Sequence, residues 1–493
     1  MEHQDYYRAL LARDARFDGS FYVAVTSTGI YCRPICRVKT PKPENCVFFS
    51  NAAAAESAGY RPCLRCRPEL APNNLSYLSQ NRLIQVATCL IAQGYLDQYG
   101  CAGLAKRLGV SDRHLRRLFE QTFGVSPIAY AQSQRLLLAK RLLMDTALPM
   151  AQIALCAGFG SLRRFNEVFV DKYRLTPTSL RKDARQITAQ VDAQRFELSY
   201  RAPYPISQVM EFWQKRQIAG LEYVDETVYE RTLAILCQGK PLIGWYRLEI
   251  SENKQKIFVY LSESLLPAVM QVLQLVRRQF DLDADPHAIN EVLTLLNCSI
   301  ETIRVPGAVS GYEVAIRSII EQVISTEAAR RIIEKMVANF GEPVSLTEKL
   351  THLFPTPSRL SAVSEDEWRA LGLSRTKARA IWALSNAVVA GELELDNVVD
   401  VNLAITNLLA LPGIGPWTAG YIALRAWQSP DVFLEDDYVI KKLLPDTTTG
   451  ERIKWAANFR PWRSYLVFAM WAIWQANAVS DQPISLLMAK ESV

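Results

Sequence analysis

"LLALPGIGPWTAGYIALRAW", residues 408–427, decides how the second half of this 493-residue chain is read. Two helical stretches flank a turn in which Gly413 and Gly415 let the backbone bend, and the next helix begins at once. Backbone N–H groups at such a helix start are placed to face a phosphate, those of Gly413 and Gly415 first and Thr418 a step into the helix. Further on, "DVFLEDDYVIKK" (431–442) sets the acidic pair Asp436 and Asp437 in apolar surroundings. Asp before an apolar helix is commonly a helix cap, and that plain role stands open for both.

The turn resembles the helix-hairpin-helix of DNA glycosylases, which alone implies only that DNA is bound without regard to sequence. From "FELSYRAPYPIS" (196–207) to "RPWRSYLVFAMW" (460–471), the order of features resembles the AlkA family of alkylation-repair glycosylases, its N-terminal α+β domain included. The resemblance implies that Asp437 is the catalytic aspartate. It also implies a base pocket made by Trp417, Tyr421, Tyr438 and Trp471, with Phe212 from the α+β domain, although each aromatic taken singly is more often core than pocket. The chemistry agrees. Alkylating a purine ring nitrogen makes the base cationic and a good neutral leaving group, so a carboxylate near C1′ and electron-rich rings suffice once the base is flipped out. Relatives that also cut the strand carry a lysine in the hairpin where this chain has Trp417, which implies base removal alone. Where the family puts a leucine wedge to fill the gap left by the flipped base, "EQVIS" (321–325) places the shorter Val323. No cysteine follows Cys298, so the iron–sulfur cluster of some relatives is not expected.

Upstream, "TVYERTLAILC", "PLIGWYRLEIS" and "KIFVYLS" alternate as short antiparallel strands between residues 227 and 262, and "LLPAVMQVLQLVRRQF" (265–280) follows as one amphipathic helix. From about residue 282 helix returns, broken at "FPTPS", "LPGIG" and "RPW". "DARQITAQVDAQR" (183–195) reads as a linker, and residues from about 73 to 185 before it are almost continuously helical. Within them, "CAGLAKRLGVSDRHLRRLFEQTFGVSP" (101–127) runs from an apolar helix through a glycine turn to Ser111 as N-cap. The helix after it shows Arg113, His114, Arg116 and Arg117 outward. "MAQIALCAGFGSLRRFNEVFVDKYRLTPTSLRK" (150–182) repeats this grammar with Ser161 as cap and Arg163, Arg164 and Asn166 outward. With the joining helix "AYAQSQRLLLAKRLLM", residues 80–185 resemble the AraC-type DNA-binding domain; a generic tri-helical fold with a basic face is the bland alternative. The resemblance implies two helices in successive major grooves, where Arg bonds guanine edges and Asn adenine edges. His114 equally suits a surface position that touches phosphate or nothing.

Near the N-terminus, Cys32-x3-Cys36 and Cys63-x2-Cys66 lie 26 residues apart in a run of Arg and Lys. This spacing fits one four-thiolate Zn²⁺ site per chain better than a disulfide framework, and on spacing alone a structural knuckle is the commoner outcome. Cys46 lies outside both pairs and reads as a small buried hydrophobe. Four thiolates on Zn²⁺ leave a net charge of −2, so an electron-rich sulfur can attack a methyl group. "AVTSTGIYCRPICR" and "NCVFFSNAAAAESAGYRPCLRCRP" resemble the N-terminal domain of the Ada family over residues 1–70. That implies irreversible methyl transfer from a methylated DNA phosphate to Cys32, with Cys36, Cys63 and Cys66 as the other ligands. Arg33, Arg37, Lys39, Arg61 and Arg65 then suit phosphate contacts. The family's other acceptor, in a Pro-Cys-His-Arg sequence, is absent from the chain, so repair of O6-methylguanine is not expected.

With 49% hydrophobic and 22% charged residues the composition is that of an ordinary globular protein, and the length suits three or four domains. No apolar run reaches the ~18 residues of a membrane span, so a cytoplasmic chain is expected. Residues 1–190 hold 26 Lys/Arg against 14 Asp/Glu, a net +12, and the remainder 30 against 36, a net −6. A polyanion partner is expected at the front. The expected fold is multidomain and mainly α: a zinc-binding α+β module (1–72), an all-α double helix-turn-helix (73–190), a TBP-like α+β domain (191–281) and an all-α helix-hairpin-helix glycosylase domain (282–493). The resemblances together imply a methyl sensor, a transcription activator and a base-excision glycosylase in series. Its partners would be double-stranded DNA at alkylated sites and promoters, with RNA polymerase; a nucleoid-associated, bacterial-type monomer is expected. Two other readings stand beside it: an AraC-type regulator whose glycosylase half is an inactive DNA clamp, and a repair enzyme whose front half only recruits it to DNA.

Overall fold

The computed structural model describes residues 2–72, 81–183, 194–296 and 301–480, so most of the expected linker and Cys298 lie outside the described residues. The chain forms two compact units, one of residues 1–202 and 233–274, the other of 203–232 and 275–493. No helix among the described residues is long and apolar enough to cross a membrane.

In the first unit, α1 (His3–Ala12), β1 (Tyr22–Val25), β2 (Ile30–Cys32), β3 (Cys46–Phe49), α2 (Ala52–Ser57) and β4 (Arg61–Pro62) build a sheet of order β3-β1-β2-β4. Strand periodicity of two gives this sheet two apolar faces. Phe21 and Val23 pack with Leu10 of α1, and Tyr22, Ala24 and Tyr31 pack with Ala52 and Ala55 of α2. The helical segment follows as α3 (Arg82–Ala92), α4 (Tyr95–Arg107), α5 (Asp112–Phe123), α6 (Pro127–Asp145), α7 (Met150–Cys156), α8 (Leu162–Tyr173) and α9 (Pro177–Asp183). Ser111 and Ser161 cap as expected, their hydroxyls accepting from the N–H of His114 at 3.2 Å and of Arg164 at 3.1 Å.

Next come β5 (Gln194–Ser199), α10 (Ile206–Gln214), β6 (Glu222–Val224), β7 (Val228–Cys237), β8 (Lys240–Ser251), β9 (Lys256–Leu261) and α11 (Val269–Gln279), the strands in the order β5-β9-β8-β7-β6. The three expected strands are present, while β5 and the three-residue β6 were not anticipated. The expected helix over 265–280 starts only at Val269, after a 3-10 turn (Glu263–Ala268) containing Pro267, which has no N–H to give an α-helical ladder.

The rest of the second unit is helical: α12 (Pro286–Leu293), α13 (Gly311–Glu321), α14 (Thr326–Phe340), α15 (Pro357–Ser361), α16 (Glu365–Ala370), α17 (Arg375–Val389), α18 (Val401–Leu409), α19 (Pro416–Arg425), α20 (Tyr438–Leu443), α21 (Thr449–Ala456) and α22 (Arg463–Ser480). Proline opens α15 and α19, at two of the three breaks read from the sequence. Ile316, Ile319, Trp368, Ile422 and Trp427 are buried in one core that carries α13 and α19 side by side.

Candidate functional site

In the second unit, the turn between α18 and α19 holds Gly413 at φ +78°, and a Cβ there would lie 2.9 Å from the Ala380 Cβ, so only glycine fits. Gly415 is different. Its φ is −98° and a Cβ would meet nothing within 4 Å, so the turn's outer side is open to an approaching backbone. It N-caps α19 without a side-chain cap, which leaves the first N–H groups of the helix to an external acceptor. The Thr418 side chain is not a surface contact. It is buried, and its hydroxyl accepts from Gln322 Nε2 at 2.8 Å, so only its backbone faces the turn.

Asp437 N-caps α20. Its Oδ1 accepts from the N–H groups of Val439 at 2.9 Å and Ile440 at 3.2 Å, so the capping role holds. It does more than cap. The indole Trp471 Nε1 also donates to Oδ1, at 3.0 Å, and Trp417 Nε1 donates to Oδ2 at 2.9 Å. A carboxylate offers about four lone-pair directions, so Oδ2, with one partner, is the oxygen left to face a ligand. Only 7% of the residue is exposed. Asp436 points elsewhere, accepting from Arg452 at 3.0 Å and Thr449 at 3.1 Å.

The aromatic residues fall into three situations. Trp417 and Tyr421, one turn apart on α19, stack on each other (centroids 5.2 Å, planes 7° apart), and Trp471 stands 6.2 Å from Tyr421. Trp417 and Trp471 flank the carboxylate, and Tyr421 backs them without touching it, its hydroxyl accepting from Arg425 at 2.8 Å. Tyr438 does not join them: it is 64% exposed and lies edge-on to Trp474. Phe212 is already engaged, with the Arg216 guanidinium 4.1 Å and the Arg425 guanidinium 4.7 Å from its centroid and Phe468 at 6.0 Å. Its ring is therefore occupied by cations rather than free for a cationic base. A neighbouring cavity lined in part by Arg216, Glu321, Tyr421 and Arg425 does not include Asp437.

Val323 is fully exposed at the end of α13, at φ +59°. For a β-branched residue that conformation costs about 1–3 kcal/mol and persists only where its surroundings impose it.

In the first unit, β2 and β4 run parallel, pairing Ile30 with Arg61 and Tyr31 with Pro62, which brings Cys32 and Cys63 to adjacent strand ends. The Cys36 N–H donates to the Arg33 carbonyl in a turn that carries Cys36 back, and the Arg33 N–H donates to Cys66 Sγ at 3.3 Å. All four sulfurs lie within 4.8 Å of one another. Tetrahedral Zn–S bonds of ~2.3 Å set sulfurs about 3.8 Å apart, so the cluster fits zinc. Cys32, Cys36 and Cys63 are buried and Cys66 is the most open. Arg33 corrects the sequence reading. It is buried and ion-paired to Asp18, and its guanidinium donates to the Cys66 carbonyl at 3.2 Å, so it supports the metal loop instead of reaching for phosphate. Arg37, Lys39 and Arg65 are exposed and Arg61 half-buried.

On α5 and α8, Arg113, Arg116, Arg117, Arg163, Arg164 and Asn166 are all exposed. Arg116 pairs with Asp112 at 2.8 Å and Arg163 with Glu167 at 3.0 Å, while Arg117 lies 3.1 Å from the half-buried His114.

Sequence reasoning missed the joint between these parts. Lys140 of α6, wholly buried, donates to the Cys63 carbonyl at 3.3 Å and pairs with Glu69 at 2.5 Å, and Arg67 makes two 2.7 Å bonds to Asp145. Burial pushes Glu69 up, but Lys140 and Arg67 outweigh it and hold the carboxyl below its ordinary range. The charged residues inside the apolar run "LLLAKRLLM" were the available signal.

Comparison with known families accounts for this organisation. The metal binding domain of Ada matches residues 5–69, a helix-turn-helix domain 104–183, the AlkA N-terminal domain 195–310, and the HhH-GPD superfamily of base excision DNA repair proteins 316–451. The chain is 36% identical over 488 residues to the "probable bifunctional transcriptional activator/DNA repair enzyme AlkA" of Mycobacterium tuberculosis, covering 95% of this chain and 96% of the relative. The "DNA-3-methyladenine glycosylase 2" of Escherichia coli is 33% identical over 56% of this chain and 96% of its own length. The Escherichia coli "bifunctional transcriptional activator/DNA repair enzyme Ada" is 39% identical over 26% of this chain and 35% of its own length. With Ada-like metal-binding and helix-turn-helix segments joined to an AlkA-like glycosylase, the chain belongs to the family of bifunctional transcriptional activator/DNA repair enzymes.

Proposed function

We propose that this protein excises alkylated bases, 3-methyladenine among them, from DNA without cutting the strand, and that it transfers the methyl group of a DNA methylphosphotriester once and irreversibly to Cys32. The observation that carries the first activity is the Asp437 carboxylate set against Trp417 and Trp471 next to an open hairpin turn. A cationic alkylated base stacks on the indole rings, and Asp437 Oδ2 faces C1′. The C1′–N bond breaks with its electron pair leaving on the base, the charge developing on the sugar is stabilised by the carboxylate, and water adds to C1′ and loses a proton. With Trp417 where a strand-cutting enzyme needs an amine, no covalent adduct to the sugar forms.

At the front, one zinc ion held by Cys32, Cys36, Cys63 and Cys66 would keep the sulfurs deprotonated. A lone pair of Cys32 attacks the methyl carbon, the carbon–oxygen bond breaks, and its electron pair stays on the phosphate, restoring a diester anion. The thioether has no route back, so each chain acts once. The methylated front third then binds promoter DNA through α5 and α8 and recruits RNA polymerase, with the protein acting as a monomer and carrying no iron–sulfur cluster.

The test is incubation of the protein with methylated duplex DNA. Free alkylated base, intact abasic sites, no borohydride-stable adduct and a 14 Da gain on the peptide holding Cys32 are expected. An adduct stable to borohydride overturns the base-only reaction, and absence of released base favours the inactive clamp.

A further inference from the structure

Three pieces of the second unit meet at one brace. Lys377, in the first turn of α17, donates through Nζ to the carbonyls of Ile320 at 2.8 Å and Gln322 at 2.7 Å. A cation at the carbonyl end of a helix is favourably placed, and here it closes the end of α13 directly before Val323. Gln322 Nε2 donates in turn to the Gly413 carbonyl at 3.1 Å and to Thr418 Oγ1 at 2.8 Å, so the residue before Val323 is bonded into the hairpin. The third side is α17 itself. The Ala380 Cβ and the Thr376 carbonyl lie 2.9 and 3.5 Å from where a Cβ on Gly413 would sit. Partial burial lowers the Lys377 pKa, a cost that the two carbonyl acceptors offset.

Val323 itself is fully exposed, with φ +59°, so the conformation that projects it is held by its neighbours. A side chain driven between bases is pushed back by the stack it opens. A strained turn free to relax would yield to that push by leaving the left-handed region and withdrawing the side chain. We propose that Gln322 and Lys377 are positioning residues for base extrusion: they lock the Val323 turn to the Gly413 hairpin, so that the gap-filling side chain and the phosphate-holding turn act on DNA as one rigid piece. This rests on the reading of Val323 as wedge and of the hairpin as the phosphate contact.

The experiment compares single-turnover release of 7-methylguanine from a fully paired duplex with release from a bulge, where the base is already extrahelical. Lys377→Met and Gln322→Ala should each lose roughly tenfold or more on the duplex and stay within about twofold on the bulge. In a Val323→Gly background, where no wedge remains to be held, Lys377→Met should add nothing. Equal losses on both substrates mean a general structural role and overturn the proposal. So does an unchanged duplex rate, or a Lys377→Met loss that persists beside Val323→Gly. If the unmutated protein releases no base from either substrate, the glycosylase reading fails and takes the brace with it.

Discussion

Asp437 is surrounded by donors alone: two backbone N–H groups and two indole N–H groups. Asn in its place keeps one acceptor oxygen for the helix cap but turns an NH₂ toward the Trp417 N–H, setting donor against donor. The substitution therefore removes the charge and also unseats a wall of the base slot. An unsatisfied buried donor costs about 1–3 kcal/mol of stability, and one well-placed transition-state charge supplies about 3–4 kcal/mol or more. Asp437→Asn should lower base release by at least two orders of magnitude, with a changed tryptophan emission, while binding of damaged DNA persists. Asp436→Asn is the matched control. Its ion pair with Arg452 is more than half exposed on the aspartate side, and Arg452 also donates to the Glu435 and Thr447 carbonyls, so the cost should stay within about 1 kcal/mol and excision should be near normal. Near-normal excision by Asp437→Asn, measured as free base by chromatography, removes this residue from the chemistry.

At the scale of elements, α2 carries Glu56 into contact with β2 and α8. Its carboxyl accepts from the hydroxyls of Tyr31 at 2.9 Å and Tyr173 at 3.4 Å, and burial pushes its pKa up to about 7 despite the help of these two hydroxyls. An unfolded glutamate titrates near ~4.3. Between those values the folded chain holds a proton that the unfolded chain has lost, so stability declines as pH rises toward 7, by up to roughly 1.4 kcal/mol per pH unit. Glu56→Gln should flatten that decline and melt higher than the parent at pH 8; an unchanged difference between melts at pH 5.5 and pH 8 counts against the assignment. Glu56 is invisible in the sequence, the one charged residue in an alanine-rich helix, since its partners stand 25 and 117 residues away. The same holds for Arg33: its charge is legible in the sequence, but its burial against Asp18 is not. What the sequence did expose was local. Cysteine spacing, the Ser111 and Ser161 caps and the glycine turn each depend on a few neighbours. The Tyr438 direction, the occupied face of Phe212 and the left-handed Val323 depend on packing between elements, which one-dimensional patterns do not carry.

At the scale of the whole molecule, the asymmetry of charge, +12 over residues 1–190 and −6 over the rest, puts the DNA-seeking field at the front. In the proposed centre, four thiolates around one Zn²⁺ would carry about −2, beside the exposed side chains of Arg37, Lys39 and Arg65, whose positive charge favours a phosphate nearby. Methylation turns one thiolate into a neutral thioether and drops the centre to about −1 while the basic side chains keep their charge. Repulsion falls, and affinity for promoter DNA should rise. The Lys140–Glu69 and Arg67–Asp145 pairs join the metal loop to α6, the helix between the two helix-turn-helix units, so the gain accrues to one DNA-binding body. Because exposed charge is screened within about 10 Å at ~0.1 M salt, the ratio of methylated to unmethylated affinity should be largest at low salt and shrink as salt is added. Titration of promoter DNA across a salt series measures this, with Cys32→Ala as a control that has no acceptor at that position but also lacks one ligand. A ratio of one at every salt concentration sinks the electrostatic switch and leaves the repair chemistry untouched. A ratio above one that ignores salt points to a change of shape around Cys32 as the source of the gain.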